Sequence, residues 1–221
     1  MSFEKQYFEN LQYSKRMKLI KRHYHELLNW ASRRCGPELL DGRGRKALDI
    51  GCAYGYGVSV LKYLGYECKG VDISRYSLRR AQTENRNEGF VMADFQGRLP
   101  FRGRIFDLVT CFEVLEHLSN PIGAIADMID ICEGVVICST PNRIVEKPIK
   151  TIMRDWDRTH INIRTPAEWR EALQKIENVN LAVESFYDAN LLVSNRVLYS
   201  KSWRIPYFGL DTRILIAKKP G

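Results

Sequence analysis

Three aspartates stand where apolar, strand-like runs meet loops, and their carboxylates could bind hydroxyl or amino groups of a ligand. They are Asp49, Asp72 and Asp94. The first is followed by the glycine-rich loop GCAYGYG at 51–57. Such a loop lets the backbone approach a ligand closely, because glycine has no Cβ. The ligand could be the pyrophosphate of a dinucleotide, the triphosphate of a nucleotide or the amino-acid end of a smaller cofactor.

The loop departs from both phosphate-binding patterns. The dinucleotide pattern G-x-G-x-x-G fails at Ala53 and Tyr56. The nucleotide-triphosphate loop needs Gly-Lys-Ser/Thr, and no lysine follows these glycines. A Tyr-x-x-x-Lys pair, typical of short-chain dehydrogenases, is absent from the sequence. We therefore do not expect the loop to hold a pyrophosphate.

Four histidines are candidates for a general base, because an ordinary imidazole has a pKa near ~6.5. His117 follows the fourth strand-like run, where it could act as a base or fix the start of the next helix. His160 precedes a helix that the sequence predicts from its capping box. His23 and His25 are predicted to lie on the surface of the N-terminal helix.

Strand-like and helical patterns alternate from residue 46 onward, which predicts an α/β fold with a doubly wound, mostly parallel sheet. No helical pattern separates the last two strands, so the last strand is expected to be antiparallel. An N-terminal helical arm at 1–45 is predicted to precede a domain at 46–221. The seven predicted strands are 46–51, 67–73, 89–95, 105–112, 134–140, 180–187 and 213–219. The aspartates and the loop then meet at the carboxyl ends of the strands, where open α/β sheets bind ligands.

The net charge of +8 is unevenly distributed. Residues 1–50 carry 11 Lys/Arg against 6 Asp/Glu, 51–140 carry 9 against 11, and 141–221 carry 14 against 9. The sequence contains no apolar run of the ~20 residues that span a bilayer. Its six cysteines form no Cys-x-x-Cys pair, so we predict reduced thiols, no metal site and a cytoplasmic location.

Four segments, in order, resemble motifs of the class I S-adenosylmethionine-dependent methyltransferases. LDIGCAYGYG is similar to their first motif, [DE]-x-G-x-G-x-G, and GVDIS resembles the acidic strand end that binds the ribose. ADF resembles the segment that frames the adenine. FDLVTCFEVLEHL is similar to the fourth strand and turn of the branch with ubiquinone- and menaquinone-type methyltransferases. The likeness covers about residues 46–140 and implies a Rossmann-like fold that binds S-adenosylmethionine.

The resemblance also implies a set of cofactor-binding residues. Asp72 can accept hydrogen bonds from both ribose hydroxyls and Asp94 from the adenine amino group, while Asp49 orders the loop from behind. Ala53 stands where the family usually has glycine, and we expect binding to survive this change. The predicted set is Asp49, Gly51, Ala53, Tyr54, Gly55, Asp72, Ile73, Ala93, Asp94, Phe95, Phe112, Glu113 and Val114.

The predicted reaction is methyl transfer to an oxygen or nitrogen of a small, anionic or aromatic acceptor. His117 and His160 are the predicted catalytic residues, since their counterparts in similar enzymes lie beside the cofactor and the acceptor. The basic, aromatic stretches 142–158 and 194–209 are expected to form a lid. The same stretches leave RNA methylation open, although the [DNS]-P-P-[YFW] and Pro-Cys motifs of base methylation are absent. A non-catalytic, cofactor-binding subunit is the second alternative.

Overall fold

A mixed sheet of eight strands organises the protein, whose computed structural model describes residues 3–85, 89–96, 99–146, 148, 159–193 and 196–219. The strands are β1 (Lys46–Ile50), β2 (Glu67–Asp72), β3 (Gly89–Met92), β4 (Phe106–Phe112), β5 (Cys132–Pro141), β6 (Val179–Val193), β7 (Arg196–Arg204) and β8 (Asp211–Lys218). Their order is β3-β2-β1-β4-β5-β8-β6-β7. The first five strands are mutually parallel, and β8 is antiparallel to both β5 and β6.

The sheet is flanked by α1 (Lys5–Asn10), α2 (Met17–Cys35), α3 (Tyr56–Tyr63), α4 (Arg75–Glu84), α5 (Pro121–Ile131) and α6 (Pro166–Leu173). The last three of these helices begin at a capping side chain. The side chain of Ser74 accepts the backbone N–H of Ser77 at the start of α4, and Asn120 caps α5. Thr165 and Glu168 form the predicted capping box of α6. None of the helices described is long and apolar enough to cross a bilayer.

The prediction of seven strands is wrong by one, although the α/β class and the antiparallel last strand are confirmed. The additional strand is β7, which pairs antiparallel with β6 as a hairpin at the edge of the sheet. It lies in the stretch 194–209, whose charges and aromatic residues favoured a lid at the sequence level. In the other expected lid, 142–158, residues 147 and 149–158 lie outside the described part of the chain.

Each face of the sheet is covered by its own helices. One face packs Val109 and neighbouring strand residues against Ile125 of α5 and Trp169 of α6. The other face packs Leu108 and its neighbours against α3, α4 and the apolar side of α2, including Leu28. Residues of α2, which precede the predicted boundary at residue 45, share the hydrophobic cluster on this second face with the strands.

Candidate active site

A cavity of about 670 Å³ lies at the carboxyl ends of β1, β2 and β4, and α1 and α2 form its other walls. Its volume falls within the roughly 300–1,000 Å³ range of small-molecule sites. The predicted site residues that line it are Gly51, Ala53, Asp72, Ile73, Ala93, Asp94, Phe95, Phe112, Glu113, Val114, His117 and His160. The sheet topology thus brings together side chains from five separate stretches of sequence.

The glycine-rich loop is shaped by backbone conformations that glycine adopts easily. Gly51 has a φ of 71°, and a Cβ built on it would lie 2.2 Å from Cγ2 of Val114. Ala53 has a φ of 46°, in the left-handed region, which costs a residue with a Cβ roughly 1–2 kcal/mol. A side chain at Gly51 would therefore displace Val114, which lines the cavity beside it.

Asp72 connects the loop to the second strand. Its Oδ2 accepts the backbone N–H of Ala53 at 2.8 Å, and its Oδ1 accepts the backbone N–H of Ser74 at 2.8 Å. Burial raises the pKa of Asp72, and the hydrogen bonds from the two backbone groups oppose that rise. Each carboxylate oxygen has a second lone pair, so Asp72 can hold the loop and still accept hydrogen bonds from a ligand.

Asp49 lies beneath the loop, where it is fully buried and does not line the cavity. It accepts hydrogen bonds from the hydroxyls of Tyr24 on α2, at 3.0 Å, and Thr110 on β4, at 2.7 Å. Burial raises the pKa of Asp49 to about 7 despite these two hydrogen bonds. This position suits a residue that supports the loop and does not touch the ligand.

Tyr54 and Gly55, also in the predicted set, lie outside the lining of the cavity. The ring of Tyr54 packs against Phe8 of α1 and Tyr13, with centroids 5.1 and 5.0 Å apart. Gly55 has a φ of 75° at the start of α3. The ring of Tyr54 thus packs the loop against α1, and Gly55 adopts the left-handed conformation that precedes α3.

Where β2 and β3 end, the cavity offers both an apolar and a polar surface to a flat ring of a ligand. Ile73 is 44% exposed and Phe95 is buried, and both line the cavity. Asp94 accepts the backbone N–H of Gln96 through Oδ1 at 2.9 Å, which leaves its second oxygen available. This arrangement can hold a flat heteroaromatic group by its face and by an amino group.

The family profile described as "Methyltransferase domain" matches residues 16–184, about three quarters of the chain. The chain belongs to this methyltransferase domain family. The match begins just before α2 and ends in β6. The sequence-based recognition of a class I S-adenosylmethionine-dependent methyltransferase is confirmed.

Two curated relatives share the same description. The ubiquinone biosynthesis O-methyltransferase of Methylococcus capsulatus is 31% identical over 116 residues, which are 50% of this chain and 49% of that protein. That of Burkholderia vietnamiensis is 33% identical over 110 residues, 45% of this chain and 46% of that protein. The chain thus matches about half the length of these relatives.

Solved methyltransferase structures share the fold at lower identity. A SAM-dependent methyltransferase from Archaeoglobus fulgidus superposes with a TM-score of 0.69 at 18% identity, covering 96% of this chain and 100% of that one. Magnesium protoporphyrin IX methyltransferase from Synechocystis, solved with bound SAH, gives 0.63 at 16% identity and covers 97% of each chain. These structures confirm the Rossmann-like architecture of the methyltransferase domain.

The two predicted catalytic histidines of this methyltransferase domain lie side by side. The ring centroids of His117 and His160 are 4.8 Å apart, edge to face. Nδ1 of His160 lies 2.6 Å from Oε1 of Glu146, and Nδ1 of His117 lies 3.1 Å from the carbonyl oxygen of Thr159. With Glu116 they bring ligand-type atoms within 4.8 Å of one another, and such donors suit divalent cations.

Two glutamates follow β4 at the inner end of the cavity. Glu113 has a φ of 56°, and its Oε1 accepts the hydroxyl of Ser139 at 2.9 Å. Enclosure by protein and the nearby carboxylate of Asp211 raise its pKa to about 7. Glu116 is buried; its Oε2 accepts the hydroxyl of Thr140, and burial raises its pKa. This end of the cavity therefore gathers acidic groups that hold protons near neutral pH.

The prediction that His23 lies on the helix surface is wrong. His23 lines the cavity with a side chain 26% exposed; its Nδ1 lies 3.4 Å from Oδ2 of Asp188 and its Nε2 3.5 Å from Oγ of Ser139. Sequence reasoning missed it because these partners lie on β6 and β5, far along the chain. His25, two residues later in α2, does not line the cavity.

Proposed function

We propose that the protein transfers a methyl group from S-adenosylmethionine to an oxygen or nitrogen of a small aromatic acceptor. The observation that carries this proposal is a single cavity that joins the glycine-rich loop to a wall of aromatic, aliphatic and imidazole side chains. The relatives named as O-methyltransferases support oxygen as the methylated atom.

The residues present fit the cofactor. Asp72 can accept hydrogen bonds from the ribose hydroxyls, and Asp94 from the adenine amino group, with Ile73 and Phe95 against the ring. The backbone of Gly51 lines the cavity and can contact the amino-acid end, and glycine at this position lets Val114 pack against it. The bound cofactor supplies a methyl group on a positively charged sulfur. The protein contributes orientation and exclusion of water, which account for much of the catalysis of such a displacement.

The lining favours an aromatic acceptor and does not support the expected anionic one. Phe3, Tyr7 and Leu11, in and beside α1, and Ile20 of α2 form apolar wall on the acceptor side. Arg16 is the single Lys or Arg among the described residues that line the cavity, which also include several carboxylates. The described lining thus offers little positive charge to bind the carboxylate or phosphate of an acceptor.

Two alternative functions predict different experimental results. An RNA methyltransferase would bind single-stranded RNA with an affinity that falls steeply as salt rises, because it would neutralise phosphates with its basic ends. A non-catalytic subunit would bind the cofactor and leave every acceptor unmethylated until a partner is added. In the proposed enzyme, His160 stays a predicted acceptor-side residue and His117 a predicted catalytic residue beside the cofactor.

Calorimetric titration with S-adenosylhomocysteine tests the cofactor assignment, with NADH as the negative control. We expect S-adenosylhomocysteine alone to bind, and Asp72→Asn to weaken it by about tenfold or more, roughly 1.4 kcal/mol. The variant replaces one of the two oxygens that accept the N–H groups of Ala53 and Ser74 with an NH2 donor, which leaves one acceptor fewer for the ribose hydroxyls. Asp130→Asn, which removes an exposed carboxylate from α5, is the matched control. Equal affinities for both variants would contradict the ribose assignment, and binding of NADH would overturn the function.

A further inference from the structure

A buried chain of charges holds His23 at the cavity wall. Arg213 on β8 is fully buried, and its Nη2 donates to both carboxylate oxygens of Asp188 at 2.7 and 2.8 Å. Its Nε donates to Oδ2 of Asp211 at 3.0 Å. Burial would raise the pKa of Asp188, but the interaction with His23 and the charge of Arg213 lower it to about 2. Asp188 therefore stays ionised and keeps a proton on the Nδ1 of His23 that faces it.

His23 lines the cavity, and Nε2 is the ring nitrogen that does not face Asp188. Its contact with Ser139 is 3.5 Å long, at the limit of a hydrogen bond. The imidazole ring lies edge-on to Phe112, with centroids 6.2 Å apart, where β4 ends. His23 thus resembles a histidine whose tautomer is set by a carboxylate so that the other nitrogen can accept a proton.

His117 and His160 line the same cavity, and the charges of both His23 and His160 act to lower the pKa of Glu113. The feature that distinguishes His23 is its partner. Asp188 accepts two hydrogen bonds from the fully buried Arg213 and stays ionised beside Nδ1 of His23.

We propose that His23 is the general base for an acceptor hydroxyl, with Asp188 and Arg213 as its positioning residues; this rests on the methyl transfer proposed above. The acceptor gives its O–H proton to Nε2 of His23 as its oxygen forms the new C–O bond to the methyl carbon. The electron pair of the broken C–S bond stays on sulfur, which becomes neutral. The positive charge is then on the protonated imidazole of His23, which Asp188 stabilises.

The charges around His23 make it a stronger base than an ordinary histidine. Burial lowers its pKa, but the interaction with Asp188 and the carboxylates of Asp211 and Glu113 outweigh burial, so the pKa is raised. The described groups that face it are Asp188 from β6, Asp211 and Arg213 from β8, and Glu113 after β4. Because Glu113 titrates in the same range, a pH profile alone cannot assign the base, and substitutions are needed.

The experiment uses 4-nitrophenol, whose ionisation is visible by its colour, bound to the full chain with S-adenosylhomocysteine and EDTA. It is run at a pH where the free phenol is largely protonated. We expect the wild type and His25→Gln to ionise the bound phenol, and His23→Gln to lower its apparent ionisation constant by about tenfold or more, one pKa unit. Asp188→Asn should give an intermediate loss, and the loss in His23→Gln should exceed the loss in His160→Gln.

A second readout does not depend on the phenol. In NMR titrations of imidazole-labelled protein, the pKa of His23 should lie above that of His25, and Asp188→Asn should lower the former alone. Loss of ionisation in His160→Gln with retention in His23→Gln would overturn the assignment, as would no ionisation by the wild type. In either case, binding of S-adenosylhomocysteine by all variants would leave the methyltransferase function standing. Failure of the wild type to bind it would overturn the function itself.

Discussion

Ala53 is an L-residue in a backbone conformation that favours glycine. Its φ of 46° costs roughly 1–2 kcal/mol, but glycine would lose more chain entropy on folding, about 0.5–1 kcal/mol, and a buried methyl group. We therefore expect Ala53→Gly to leave the free energy of unfolding within about 0.5 kcal/mol of the wild type. Urea unfolding followed by circular dichroism measures this difference.

The matched control is Ala126→Gly, at an exposed position inside α5. There the alanine has ordinary helical geometry, so glycine should cost about 1 kcal/mol. Equal losses at the two positions would show that Ala53 carries no left-handed strain in solution.

Sequence reasoning placed correctly those residues that stand within or beside a recognisable motif. Asp72 and Asp94 stand at strand ends beside recognisable motifs, and the structure brings both to the cavity. His23 has no such signal, because its role depends on Asp188 and Arg213, which the fold brings close only when β6 and β8 pair. Tyr54 was assigned to the ligand because of its loop, whereas its ring packs against the aromatic side chains of α1 and its surroundings.

At the level of elements, α1 covers the glycine-rich loop through aromatic contacts. Phe8 is 4% exposed and packs against Tyr54 and Tyr13, while Tyr7 and Leu11 line the cavity. We expect deletion of residues 1–12 to leave the far-ultraviolet spectrum and cooperative unfolding intact, because the two core clusters on the faces of the sheet lie outside α1. S-Adenosylhomocysteine should bind about tenfold more weakly and dissociate faster, since one wall is removed.

Stopped-flow dissociation and calorimetry measure the two effects of the deletion. Phe8→Ala, which retains the α1 backbone but removes its buried anchor, should show part of the same loss. Unchanged affinity in both proteins would mean that α1 does not cover the bound cofactor.

Elements with strong local determinants were predicted to within a few residues. The caps Ser74, Asn120 and Thr165 begin α4, α5 and α6 as expected. β7 was missed because charge and aromatic content dominated the interpretation of 194–209, and an edge strand needs little apolar surface. Its formation depends on pairing with β6, a non-local interaction that no single segment encodes.

For the molecule as a whole, the carboxyl ends of the strands collect acids whose pKa is raised in the fold. The pKa of Asp49 and of Glu113 is raised to about 7, and that of Asp72 and Glu116 is also raised. The folded protein thus holds protons that the unfolded chain releases above about pH 4. The contribution of these acids to stability is present below that pH and is lost as pH rises towards about 7.

Asp49→Asn isolates one of these acids. Between about pH 5 and pH 7 we expect its unfolding free energy to fall less steeply than that of the wild type, by up to about 1.4 kcal/mol per pH unit. Urea unfolding at several pH values measures the slopes, and Asp130→Asn should run parallel to the wild type. Parallel curves for Asp49→Asn would show that this carboxylate is not protonated in the folded protein.

The position of β8 between β5 and β6 has a consequence for synthesis on the ribosome. β5 and β6 both leave the ribosome before residues 211–218, yet neither pairs with the other; each pairs with β8. Until β8 arrives, β5 has an open edge and the β6–β7 hairpin has no sheet to join, which invites association with other chains. Arg213 arrives with the same strand, so the surroundings of His23 are completed only after β8 has joined the sheet.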